Sequence, residues 1–268
     1  MPTVLVLGCG PSGLLAAHAA QLAGHEVDVV SDKKKSRLGG AQYLHHPIPE
    51  LTPSEPQGRL SVLSMGTKEG YAKKVYGSSQ AEVSWDLYVG EEPIDIWDMV
   101  DMYDVLWDRW ESSISQDVIT EPTDVLQLLD VYDKVISTIP APALCWKKEE
   151  HHFLRQDIYI IPRFPYTDSG KDVIIYNGNP SDPWYRASSI FGRGMIEYSA
   201  WSWGIPSNEK NGMWVKKPLK TNCDCFEGSV IKVGRYGKWH KGDLVTDAFD
   251  EVYDVLTTGK VSQYMERI

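Results

Sequence analysis

The sequence predicts an α/β protein: a parallel-sheet framework with a small helical and β-strand region laid over it. Three observations predict this. First, Val4, Leu5, Val6 and Leu7 run straight into Gly8-Cys9-Gly10-Pro11-Ser12-Gly13 and then into Leu14-Leu15-Ala16-Ala17, which reads as strand, tight turn and helix. Second, Gly24 stops that helix, residues 26–31 form a second strand, and Asp32 follows nineteen positions after Gly13. Third, residues 133–140, Asp-Lys-Val-Ile-Ser-Thr-Ile-Pro, make an apolar strand with a small-polar and proline stop. Such a strand suits an α/β sheet, buried on both faces and ending where a ligand crevice opens. The opening segment is therefore a Rossmann-like βαβ unit of the dinucleotide-binding kind.

Each residue of the opening loop has a physical reason. Gly8 allows the sharp turn, Gly10 lets the backbone approach a pyrophosphate, and Gly13 lets the helix pack close on the strand. Pro11 and Ser12 open the helix, whose free N–H groups and partial positive charge face the phosphates. Asp32 stands where an acid binds the ribose hydroxyls. Lys33, Lys34, Lys35 and Arg37 follow it. They read either as a grip on a 2′-phosphate, which favours NADP, or as a solvated basic turn, the preferred reading.

The loop from Gly8 to Gly13, followed by Arg37-Leu38-Gly39-Gly40, resembles the glutathione-reductase-type flavoproteins, in the branch holding the amine oxidases and UDP-galactopyranose mutases. The resemblance implies FAD as the cofactor, with Arg37, Gly39 and Gly40 along the flavin. Thr138 and Pro140, in the Asp-x-Val-Ile-x-Thr-x-Pro strand, match the family's strand that passes the cofactor. A third anchor lies near the C-terminus, where residues 229–233 lead to Gly234-Arg235-Tyr236 and then through Gly242-Asp243-Leu244 into an amphipathic helix. In the family such a strand, turn and helix start sit against the ribityl chain, the pyrophosphate and the flavin pyrimidine edge. Arg235, or the amides around Asp243 and Leu244, then supply the donors that a reduced flavin needs. The departure is size, since enzymes of this branch carry a large substrate domain and this chain has room for a reduced one.

Composition bounds the remainder. With 268 residues the chain buries one good core or two small ones, and 42% hydrophobic content with mixed charge describes a soluble globular protein. No apolar run approaches bilayer length, so no membrane span and a cytoplasmic location are expected. A net charge of −10 disfavours nucleic acid as a partner while leaving a local basic groove open. Cys9, Cys145, Cys223 and Cys225 are too scattered for a disulfide framework. Cys223-Asp224-Cys225 reads as two loop thiols, because no second Cys/His pair of suitable spacing accompanies it, and no metal is expected. Ten Trp and fourteen Tyr against five Phe suit a pocket that stacks on flat rings, and equally suit core packing.

Along the middle of the chain, residues 41–56 form a proline-rich loop in which His46, beside His45, is either a proton carrier near a flavin or a surface residue. Residues 61–65, 71–76 and 82–88 read as short elements. Residues 92–113 read as a helix in which Trp97, Val100, Tyr103, Leu106, Trp107 and Trp110 recur at steps of three and four. Eight acids and one base, Arg109, occupy positions 91–111, which reads as the solvated face of a cap helix. A short helix over 123–129 and strands over 157–162 and 172–176 follow, then the turn Asn177-Gly178-Asn179-Pro180. The segment Trp184-Tyr185-Arg186-Ala187-Ser188 resembles a mutase segment in which an aromatic–Arg pair faces the flavin. Arg186 is the candidate clamp for a carboxylate or phosphate, with a structural ion pair as the alternative. Tyr185, Trp184 and Tyr198 are candidates for an aromatic wall, and Arg163 and Glu197 are second-rank candidates.

The expected organisation is a discontinuous FAD domain (1–44, 121–145, 228–268), a helical cap insertion (45–120) and substrate-domain strands (146–227). The activity implied is FAD-dependent oxidation of a C–N bond in an amine or amino-acid-like substrate. One version of it removes an amino acid from a modified nucleobase. The alternatives are a mutase-like enzyme acting on a nucleotide sugar without net redox, and a non-catalytic flavin-binding accessory protein. A small-molecule or nucleotide-linked substrate and a homo-oligomer complete the expected partners.

Overall fold

The opening unit is observed as read: β1 (Thr3–Leu7), α1 (Pro11–Leu22) and β2 (Glu26–Ser31), with β1 and β2 parallel. The computed structural model describes residues 3–81, 83, 90, 92–117, 119, 121–166, 170–206 and 209–259. The chain divides into two units: Met1–Arg37 with Asp101–Leu154 and Pro218–Ile268, and Leu38–Val100 with Arg155–Lys217.

The first unit holds a five-stranded sheet in the order β12-β6-β1-β2-β5, where β5 is Ile114–Gln116, β6 Lys134–Ser137 and β12 Ile231–Lys232. Every pairing in it is parallel. Val4 to Leu7 are fully buried, as a central strand covered on both faces must be. Residues Gly13 to Ala20 of α1 are all buried, so this helix has no solvated stripe; α6 (Val245–Thr258) packs on it, with the His18 and Phe249 rings 6.0 Å apart. The loop after β6 is followed by residues 145–152, which belong to this unit, as do α4 (Pro122–Leu129) and the short α5 (Gly234–Lys238).

The second unit holds a seven-stranded sheet in the order β11-β7-β10-β9-β8-β3-β4. Its strands are β3 (Gly58–Gly66), β4 (Ile94–Ile96), β7 (Phe153–Ile161), β8 (Asp172–Gly178), β9 (Arg186–Ile190), β10 (Arg193–Ser199) and β11 (Met213–Thr221). β3 and β8 are parallel, while β8–β9, β9–β10, β10–β7 and β3–β4 are antiparallel. One face packs under α2 (Lys68–Tyr76) through Tyr71, Ala72, Val75, Ile158, Ile160 and Tyr185; the other collects Tyr159, Ile161, Trp184, Ala187, Ile196 and Tyr198. Among the described residues no helix is long and apolar enough to cross a membrane.

Three expectations change. The helix expected over 92–113 is shorter, α3 (Met99–Trp110), because residues 94–96 pair with 58–60 as β4 and the Asp98 carboxylate accepts the Val100 amide at 2.9 Å to start the helix. The insertion expected over 45–120 does not hold together, because most of α3 and all of β5 belong to the first unit, where β5 pairs with β2. The boundaries expected at 145 and 228 fall instead at Leu154 and Pro218. The element expected over 82–88 lies outside the described residues apart from Val83.

Candidate functional site

The glycine loop is built from backbone. Gly8 has φ +110, a conformation L side chains rarely adopt, and Thr138 lies directly beneath it, its amide and hydroxyl both donating to the Leu7 carbonyl at 2.9 and 3.0 Å. A Cβ on Gly13 would overlap the Gly8 carbonyl oxygen and lie 2.8 Å from its carbon, so only glycine lets α1 sit this close to β1. A Cβ on Gly10 meets only Ser36 Oγ at 3.5 Å, so the backbone there is open to approach. Gly10 caps α1 without any side-chain bond, Pro11 follows it at the helix start, and Gly234 is pressed onto Ser12, where a Cβ would fall 2.6 Å from the hydroxyl. The third sequence anchor thus reaches the first: α5, rather than a plain turn, carries Gly234 and Arg235 to the start of α1. Pro140 begins the turn that follows Thr138.

Asp32 is exposed just past β2; its Oδ1 accepts from the Ser31 hydroxyl and the Lys34 amide, and Oδ2 takes no bond among the described residues. Lys33 has φ +55, in the left-handed region. The basic turn is partly paired, since Lys35 meets Asp104 at 2.8 Å and lies over the Tyr103 and Trp107 rings. At the other end, Asp243 is held by Lys238 at 3.0 Å and His240 at 3.0 Å, and the Leu244 amide is occupied by the Asp247 carboxylate at 2.8 Å.

The residue that sequence reasoning missed here is Tyr103. Its buried hydroxyl donates to the Cys9 carbonyl at 3.0 Å and accepts the Ser36 amide at 3.0 Å, tying the glycine loop to the segment after Asp32. Helical spacing marked Tyr103 as core; nothing local marked its hydroxyl as a brace. Arg109, the lone base of the acidic stripe, donates to Nδ1 of buried His18 at 3.1 Å and so fixes α3 on α1. The acidic face of α3 is solvated as read, with Asp101, Asp104 and Asp108 exposed, but the helix buttresses the nucleotide loop rather than serving as a cap.

The second unit gathers Tyr185, Arg186, Glu197 and Lys217. Glu197 is 1% exposed and is paired with Arg186 on the neighbouring strand and with Lys217 at 2.5 Å, while the Tyr185 hydroxyl donates to it at 2.6 Å. Burial disfavours ionising Glu197, but Arg186, Lys217 and the hydrogen bonds outweigh it and hold the carboxyl at about 2. Burial, reinforced by the Glu197 charge, pushes the Tyr185 hydroxyl well above the usual tyrosine range. Gly40 rests on this group, since a Cβ there would fall 2.8 Å from Glu197 Oε1 and 3.4 Å from Arg186 Nη2, and a Cβ on Gly39 would run into Met213 and Ile160. The sequence ranked Glu197 second; the structure makes it the centre, and Arg186 forms the ion pair named as its alternative.

Other candidates stand apart from that group. Tyr198 and Trp184 lie on the opposite face of the sheet, because successive residues of a strand alternate, so they do not join Tyr185 in one wall. His46 Nδ1 bonds the Pro47 carbonyl at 3.0 Å, in the loop after Leu44. Arg163 is 69% exposed and 3.9 Å from Glu209. The tryptophans are divided as well: Trp97, Trp107, Trp110, Trp184 and Trp239 are buried, and Trp146, Trp201, Trp203 and Trp214 are exposed.

The cysteines require a correction. Cys145, His151, Cys223 and Cys225 place their ligand atoms within 4.8 Å of one another, so the Cys223–Cys225 pair does have the partners its sequence context lacked. Those partners come from a segment about 80 positions away in the chain, which spacing alone does not connect.

No family model matches this chain, and no curated protein matches its sequence. Solved structures do. A tetrameric 2-methyl-3-hydroxypyridine-5-carboxylic acid oxygenase superposes with TM-score 0.53 at 15% identity, covering 97% of this chain and 84% of the other. The tetracycline destructase Tet(51) superposes with TM-score 0.53 at 12% identity, over 96% and 81%. Klebsiella pneumoniae HpxO, complexed with FAD and uric acid, superposes with TM-score 0.52 at 11% identity, over 97% and 80%. The chain shares their fold. The Rossmann-like α/β reading therefore stands, while these structures are not amine oxidases or mutases, the branch to which the motifs around Arg37 pointed.

Proposed function

We propose that this chain is a FAD-dependent oxidoreductase acting on a small substrate that carries an anionic group. The glycine loop carries the proposal: Gly10 tolerates approach from outside while Gly13 tolerates none from β1, so the loop is open on the side a pyrophosphate takes. The residues fit the cofactor. The Ser12 and Gly13 amides would hold the pyrophosphate and Asp32 the ribose, with Lys33 and Arg37 beside them in the chain. Thr138, Pro140, Gly234, Arg235, Asp243 and Leu244, all in the first unit, would border the rest of the cofactor. FAD, when bound, supplies the two-electron chemistry.

The chain's own groups then bind and orient. Arg186 pairs with Glu197 and keeps its guanidinium a fifth exposed, and that planar fork suits and orients a carboxylate. The Tyr185 hydroxyl keeps its proton across the physiological range and donates it to Glu197, holding that carboxylate in place. Protein groups of this kind position the substrate and exclude water rather than perform the redox step.

Two outcomes remain within this reading. Oxidation of a C–N bond in an amine or amino-acid-like substrate follows from the sequence resemblance. Oxygenation is favoured by the likeness to an oxygenase, beside a second structure complexed with FAD and uric acid. An absorption spectrum of the purified protein, with the released cofactor identified, tests the common reading: a flavin spectrum with FAD released is expected, and a colourless protein that takes only NAD(P) overturns it. Anaerobic mixing separates the outcomes. Bleaching by an amine alone identifies C–N oxidation, whereas a need for reduced nicotinamide and then oxygen identifies oxygenation. Turnover only after a reductant, with no net oxidation, identifies the mutase-like alternative.

A further inference from the structure

Cys145 closes the turn after β6, His151 stands two residues before β7, and Cys223 and Cys225 follow β11 directly. The two segments are stitched together beside the cluster, at His152. The Thr221 hydroxyl donates to the His152 carbonyl at 2.8 Å, and the His152 amide to Asn222 Oδ1 at 2.7 Å. Cys225 Sγ lies 3.8 Å from Cys145 Sγ and 3.6 Å from His151 Nδ1, and Cys145 Sγ lies 3.3 Å from the same nitrogen.

We propose that Cys145, His151, Cys223 and Cys225 form a structural zinc site, with three thiolates and one imidazole as ligands. The spacing matches the ion. With Zn–S of about 2.3 Å and Zn–N of about 2.0–2.1 Å, a tetrahedron has edges of about 3.8 Å between sulfurs and about 3.6 Å between sulfur and nitrogen. The ligand set is closed at four, which characterises a structural rather than a catalytic site. Three soft sulfurs and an imidazole select zinc over magnesium or calcium.

The surroundings agree. His151 turns Nδ1 toward the thiols while its Nε2 lies 3.4 Å from Asp224 Oδ1, the outer carboxylate that fixes the tautomer and orientation of a ligating histidine. Cys145 and Cys225 are packed among Leu144, Phe226 and Val230, which keeps water from the sulfurs. A disulfide is the competing use of the two buried thiols, but it needs about 2.05 Å between sulfurs, and it leaves Cys223, His151 and Asp224 without a reason to converge. The ion would clip together two loops that are distant in the chain, at the edge of the core formed by Leu5, Leu7, Val135 and Phe226.

Protein purified without chelator from zinc-supplemented cells is assayed for metal by mass spectrometry, and then exchanged with Co(II). About one zinc per chain is expected, with the strong visible bands of tetrahedral, thiolate-rich Co(II). Cys223→Ser should lose the metal. Asp224→Asn, at a largely exposed side chain, should keep the fold and weaken zinc retention against a chelator by about 10–100-fold. Wild-type protein without zinc and with a weak octahedral cobalt spectrum overturns the proposal, as does a Cys145–Cys225 disulfide found by peptide mapping. Because the wild-type protein is read directly, a Cys223→Ser variant that fails to fold does not decide the question.

Discussion

Alanine at Gly13 and alanine at Gly10 differ by one methyl in the same loop, yet they should fail in opposite ways. At Gly13 the new Cβ lies 2.8 Å from the Gly8 carbonyl carbon, where carbon pairs rest at about 3.5–4.0 Å. Both partners are backbone, so no rotamer relieves the overlap, and α1 must lift from β1 by about 1 Å. Overpacking of this kind costs about 1–3 kcal/mol, and alanine's better helix propensity returns about 1 kcal/mol. Taking the upper end, the net loss is about 2 kcal/mol, or about 4–8 °C in Tm for a chain of this size. At Gly10, φ is −69, which alanine adopts freely, and the methyl meets only Ser36 Oγ at 3.5 Å. Stability should fall by no more than about 1 kcal/mol, the usual cost of alanine at a helix cap. The same methyl occupies the approach to the pyrophosphate, so FAD affinity should fall about tenfold or more, equivalent to about 1.4 kcal/mol. Thermal denaturation of the FAD-free proteins and fluorescence titration with FAD measure the two effects separately. A Gly13→Ala protein as stable as the parent, or a Gly10→Ala protein with undiminished FAD affinity, refutes the assignment of roles within the loop.

Three further outcomes are expected. Tyr103→Phe removes the brace between Cys9 and Ser36 and should cost about 1–2 kcal/mol in urea denaturation, with weaker FAD binding. Asp32→Ala should leave the Tm of the FAD-free protein unchanged, because the acid is exposed, while lowering FAD affinity about tenfold or more in the same titration. Glu197→Gln leaves two cations facing a neutral amide and should destabilise the protein at pH 7 by about 3–5 kcal/mol. The sign with pH follows from the lowered carboxyl. It titrates at about 2 folded against 4.5 unfolded, so its contribution is complete above about pH 5 and is lost as pH falls through that interval. The loss amounts to about 3 kcal/mol at 1.36 kcal/mol per pH unit, and urea midpoints measured between pH 6 and pH 3 should fall further for the parent than for the variant.

The first unit was largely legible because its signals are local. Val4 to Asp32 contains its own strand, turn, helix and acid, and each requirement is met within about thirty residues. Thr138 and Gly234 were legible because they resemble family segments, although their true reason is packing: one lies under Gly8 and the other on Ser12. What was not legible depends on pairing between distant segments. Tyr103 was indistinguishable from any other core aromatic on a helix until its hydroxyl met the loop at Cys9. Glu197 gained its importance from Arg186 across a strand pair and from Lys217 on another strand. β11, with three lysines and a proline in nine residues, carries no clean alternation and went unread. The Cys/His cluster shows the same limit, since neither Cys145 with His151 nor Cys223 with Cys225 has a spacing that marks a ligand pair.

The all-round burial of α1 has a consequence for biosynthesis. Its covering partner α6 begins about 220 residues after α1 ends, and β12, which completes the sheet beside β6, comes only shortly before α6. At about 5–20 residues per second, roughly 10–45 s of translation separate the two helices. During that interval the nascent chain carries an apolar helix that lacks the part of its cover that α6 supplies. The first unit therefore cannot close vectorially from its N-terminus, and a chain interrupted before residue 245 leaves the ribosome as a substrate for chaperones or proteases rather than as a smaller folded protein.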